Sequence, residues 1–130
     1  MVSSPPFPAL SLPEEDQKKH ESFLCESATH YSVENNIDKL CEELMELGVA
    51  LQHYKRNRIG AALNLASEMA DVLLMIDLVR YQLYTEREEI AMGESVTPSE
   101  LNVLGQIQYK MQRSLERIVE ERSETKEDKA

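Results

Sequence analysis

Five carboxylates stand out in this chain by their spacing. One stretch reads Glu42-Glu43-Leu44-Met45-Glu46, and 21 residues later a second reads Glu68-Met69-Ala70-Asp71. In each, two acids three positions apart share one side of a helix, with Cβ atoms about 5–6 Å apart. If the two segments are helices packed antiparallel, Glu43 and Glu46 face Glu68 and Asp71 across the groove. Four like charges so close are unfavourable, each raising its neighbours' pKa, unless a cation neutralises them. An all-oxygen donor set, without thiolate or imidazole, suits a hard ion, Mg2+ or Mn2+, and Mg2+ in such sites takes substrate phosphates as further ligands. The competing reading places these acids on a solvated flank, paired with basic neighbours. The sequence has no Lys or Arg between Lys39 and Lys55, or between Arg58 and Arg80. The acids are therefore expected to lack local partners, which favours the metal.

Other residue types add less chemistry. Lys55, Arg56 and Arg58 form a basic knot, and Lys110, Arg113 and Arg117 share one side of a later segment. Each could touch phosphate, or serve only solubility and helix-dipole compensation. His20, His30 and His53 form no cluster, and none follows a Glu by three residues, so the half-site of di-iron bundles is missing. There is no Gly-rich phosphate loop and no nucleophile elbow. Asp77 falls on an apolar helix side, where a buried partner such as Arg80 is expected rather than a ligand role. Cys25 and Cys41 form no CxxC pair and suit neither a disulfide framework nor zinc. They are expected to be small buried apolar residues.

The elements that must position the acids are helical. The 130 residues carry 5% aromatics, no Trp and few Gly, while Leu, Glu, Ala and Met recur, a composition that builds helices and starves strands. The expected fold is all-α, an antiparallel bundle of about four helices with one core. Residues 1–13 hold all but one of the prolines and are expected to be a disordered arm, residues 14–119 the bundle, and residues 120–130 a charged, frayed tail. A first, weakly amphipathic helix is expected over 14–30. Ser32 is a candidate N-cap for the second. Its buried face is expected to be Ile37, Leu40, Leu44, Leu47, Leu51 and Tyr54, which follow three-and-four spacing. A turn is expected at 56–60, near Gly60. The third helix, over about 61–84, is apolar around most of its circumference, with Leu63, Ala66, Met69, Ala70, Leu73, Ile76, Val79 and Leu83 all suited to burial. Such a helix belongs inside a bundle or at a subunit interface. Residues 85–96 read as a helix end and loop. Thr97, Pro98 and Glu100 then read as the capping box of a last helix.

A net charge of −10 argues against nucleic acid as a partner, because phosphate affinity needs a continuous basic surface. The longest purely apolar run, residues 72–76, is far too short to cross a bilayer. No secretory signal is visible at the start, so a cytoplasmic location is expected.

The pattern EExxE followed by ExxD on the next helix resembles the MazG-like all-α nucleoside triphosphate pyrophosphohydrolases, the superfamily related to dimeric dUTPases and dCTP pyrophosphatases. The similarity covers roughly residues 31–117. Residues 64–76 are similar to the family's second motif helix, and residues 31–40 to the segment that leads into the first motif. By that resemblance Glu43, Glu46, Glu68 and Asp71 are the Mg2+ ligands, and Glu42 either supports those ligands from behind or helps orient water, so that Glu42 and Glu43 carry catalysis. Lys55, Arg58, Lys110 and Arg113 would bind the departing pyrophosphate. Tyr31 and Asn36 stand where the family's base-binding Trp and Gln are expected. The implied reaction splits an NTP or dNTP into the monophosphate and pyrophosphate, in a homodimer or homotetramer. The alternative is a non-catalytic helical interaction protein that keeps the bundle and binds a protein partner.

Overall fold

The computed structural model describes residues 12–128. Four α-helices run in chain order: α1 (Glu14–His30), α2 (Val33–Lys55), α3 (Ala61–Gly93) and α4 (Val103–Asp128), with a short 3-10 helix at Pro98–Leu101. No strand occurs among the described residues, so the all-helical class holds. The chain divides into two compact units, residues 1–86 and 87–130. Most of the expected proline-rich arm, residues 1–11, lies outside the described residues.

The first unit holds α1, α2 and most of α3. Ser32 caps α2 as expected, its Oγ accepting from the Asn35 backbone N–H at 3.1 Å. The end of α2 is closed by two backbone bonds, Arg58 N–H to the His53 carbonyl at 3.2 Å and Asn57 N–H to the Tyr54 carbonyl at 3.0 Å. This Schellman arrangement places Asn57 at φ 55°, a left-handed conformation that Asn adopts more readily than most residues. Gly60, at φ 78°, then turns the chain into α3. Two helices joined by so short a turn must run side by side and antiparallel.

The inward face of α2 differs from expectation. The buried or half-buried row is Asn36, Leu40, Glu43, Leu47 and Ala50. Ile37, Leu44, Leu51 and Tyr54 are each more than 40% exposed. The two rows lie one residue, about 100°, apart around the helix, so α2 is rotated to bring an amide and a carboxylate inward. On α3 the buried residues are Ala61, Val72, Asp77, Leu78 and Gln82. Leu63, Met69, Leu73 and Ile76, expected to be buried, are exposed, and so are both cysteines. Only five hydrophobic residues among those described, Leu24, Ala50, Ala61, Val72 and Leu78, are buried. Leu24 and Leu78 are the largest of them.

The second unit corrects three boundaries. α3 runs on to Gly93 instead of ending near Tyr84, because residues 85–92 contain charges but neither Gly nor Pro to stop a helix. Thr97 Oγ1 does accept from the Glu100 N–H, at 3.4 Å, but it caps the 3-10 turn. The α-helix itself begins at Val103, where Asn102 Oδ1 accepts from the Leu104 N–H at 3.1 Å. The expected frayed tail is helical through Asp128, since Glu, Arg and Lys are good helix formers and no breaker interrupts them. Every residue of α4 from 106 to 125 is exposed, including the apolar row Ile107, Met111, Leu115 and Ile118. No described helix is long and apolar enough to cross a membrane.

Candidate functional site

The antiparallel pairing of α2 with α3 brings three of the motif carboxylates together. Glu43, Glu68 and Asp71 each offer one oxygen, and these three atoms lie within 4.8 Å of one another. The cluster is graded in exposure: Glu43 is buried at 5%, Glu68 is half-buried and Asp71 faces solvent. Glu43 sits inward because it belongs to the buried row of α2, and Glu68 and Asp71 share one side of α3 by their three-residue spacing.

The hydrogen bonding of the cluster is incomplete. Glu43 Oε1 accepts from Lys39 Nζ at 3.0 Å, and Lys39 also lies 3.7 Å from Glu42 Oε1. Glu43 Oε2 and Glu68 Oε2 are buried and have no hydrogen-bond partner. A buried carboxylate oxygen without a partner carries a desolvation penalty, and a cation is a direct remedy.

Glu46 is exposed and does not join the three converging oxygens. It still feels them: the Glu43 charge, desolvation and the Glu68 charge push its carboxyl above the usual range. The Lys39 ammonium is shifted up in turn, chiefly by its bond to Glu43 and then by the Glu42 charge. The expectation that these acids lack local basic partners is thus corrected for Glu42 and Glu43. Lys39 stands one helical turn before Glu43, and the four-residue spacing that pairs them was visible in the sequence.

The other candidates separate. Asn36 is 2% exposed with its Nδ2 unpartnered, on the same row of α2 as Glu43 and two turns, about 10 Å, before it. Tyr31, half exposed beyond the end of α1, stacks edge-on against His30 with ring centres 4.7 Å apart. Lys55 ends α2 and Arg58 lies in the turn, both exposed. Lys55 is about 18 Å along the axis from Glu43, so the structure does not bring it to the cluster. Lys110 and Arg113 are exposed on α4, in the second unit.

Asp77 behaves as a structural residue. Its Oδ1 accepts from Arg80 Nη1 at 3.0 Å, as expected, and its Oδ2 is hydrogen-bonded to His20 Nε2 at 3.1 Å. His20, itself buried, was not readable as its partner because the two lie on helices far apart in sequence. Neither the protein-family models, nor the curated proteins, nor the solved structures compared with this chain match it.

Proposed function

We propose that this protein is a Mg2+-dependent nucleoside triphosphate pyrophosphohydrolase, with Mn2+ able to replace Mg2+. The observation that carries the reading is the convergence of Glu43, Glu68 and Asp71 with two buried carboxylate oxygens left unpartnered. The motif resemblance supplies the reaction class: water attacks the α-phosphorus, the bond to the bridging oxygen breaks, and a nucleoside monophosphate and pyrophosphate are formed. A divalent ion at the cluster supplies charge neutralisation and polarisation of the phosphates. Glu43, Glu68 and Asp71 hold it. Glu46, at the exposed edge, is placed to join through water or a small side-chain rotation. Glu42, exposed beside Glu43, is the candidate to orient the attacking water. Asn36, with an amide N–H facing no partner about 10 Å along the same row, is the candidate to donate to a base.

A protein-binding reading is favoured by a different observation, the exposed apolar row of α2 and the wholly exposed face of α4. The two readings combine if the partner is a second copy, as a homodimer or homotetramer. Contacts from Lys55, Arg58, Lys110 or Arg113 to phosphate would then come from a neighbouring chain. The test is incubation with a panel of NTPs and dNTPs plus Mg2+. Pyrophosphate and monophosphate should appear in equal amounts, and EDTA or Glu43→Gln should abolish both. If no nucleotide is turned over while the protein self-associates, the interaction reading replaces the enzyme.

A further inference from the structure

We propose that Lys39 is a built-in counter-cation of the carboxylate cluster, bound to Glu43 until a divalent ion arrives and then released, so that it sets how tightly the site holds metal. This rests on the reading of the cluster as a cation site. The geometry is asymmetric. Glu43 has a side chain only 7% exposed, whereas Lys39 is half exposed, at 50%. The ammonium therefore reaches down from the surface to one oxygen of a buried carboxylate at 3.0 Å, while the other oxygen has no partner. Glu43 is fixed by burial. Lys39 is a flexible chain whose head can turn into water.

The charged groups placed around Lys39 are acids. From its own helix, Glu42 and Glu43 face it directly, and Glu46 acts at longer range. Across the groove α3 presents Glu68 and Asp71, with no Lys or Arg between Arg58 and Arg80 to compete. The pair joins an exposed ammonium to a buried carboxylate, spaced by four residues on one helix. Its consequence is at the cluster, where a monovalent ammonium and a divalent ion repel each other and share one carboxylate. The flexible Lys39 stem lets its charge turn aside when the carboxylate is taken.

The test is titration of the full chain with Mn2+ alone, followed by electron paramagnetic resonance, for the wild type, Lys39→Met, Lys39→Arg and Glu43→Gln. Lys39→Met should bind Mn2+ roughly threefold or more tightly at low salt, with the gain shrinking as salt screens the repulsion. Lys39→Arg, which keeps the charge, should match the wild type. Thermal unfolding in EDTA checks that each variant is folded. Equal or weaker binding by Lys39→Met, with binding lost in Glu43→Gln, would overturn the role of Lys39 and leave the cation site standing. Indistinguishable titrations of the wild type and Glu43→Gln would overturn the cation site itself, and this proposal with it.

Discussion

Two carboxylate centres lie in the first unit, and they are completed in opposite ways. At Asp77 both oxygens are engaged, one by Arg80 and one by His20, and the side chain is 3% exposed. Burial pushes the Asp77 carboxyl up and the Arg80 guanidinium down, and each charge opposes the other's shift. At Glu43 one oxygen meets a half-exposed lysine and the other meets nothing. Both Asp77 oxygens have partners within the fold, whereas the acidic cluster has Lys39 on Glu43 Oε1 and leaves Glu43 Oε2 and Glu68 Oε2 buried without a partner. Asp77 thus ties α1 to α3 through His20, while the Glu43 cluster keeps two buried oxygens open.

The sharpest way to break this contrast is to remove the satisfied partner. Asp77→Ala removes the partner of the buried His20 and one partner of the part-buried Arg80, and should cost about 3 kcal/mol in denaturant unfolding. A loss below about 1 kcal/mol would mean that the centre holds nothing together. Mn2+ offers the complementary test. At a hundred times its dissociation constant it should stabilise the wild type by about 2.7 kcal/mol through mass action, and Glu68→Gln should remove most of that gain. An equal gain in both would place the ion elsewhere. The smallest effect is on pH. The Glu46 carboxyl titrates above its unfolded value, pushed there first by Glu43. A raised carboxyl favours folding fully below its unfolded value and loses that contribution as pH rises through the folded one. In EDTA the melting temperature should therefore gain from this group as pH falls from neutral into the carboxylate range, and Glu46→Gln should flatten that part. An unchanged pH profile in Glu46→Gln would detach Glu46 from the cluster.

What the sequence made legible was local. The Ser32 cap, the turn at 56–60 and the partnership of Asp77 with Arg80 each depend on residues within a few positions, and each is present. The choice of inward row on α2 was not legible. Ile37, Leu44 and Leu51 outweigh Asn36, Glu43 and Ala50 in apolarity, and nothing local in the sequence marks the polar row as the inner one. The same holds for His20, whose burial against Asp77 depends on how α1 packs on α3. Helix ends failed differently: a run of charges was read as a stop, whereas only residues such as Gly93 or Asn102 change the backbone.

The turn between α2 and α3 has a consequence for how the site comes into being. All three converging carboxylates belong to one helix hairpin closed by the Schellman turn at Asn57 and the left-handed Gly60. Closing so short a loop costs little chain entropy, and contacts of this kind form early in folding. An ion gripped by both arms of the hairpin would thus act on the nascent chain. Its mark would fall on the speed of refolding more than on the lifetime of the finished fold.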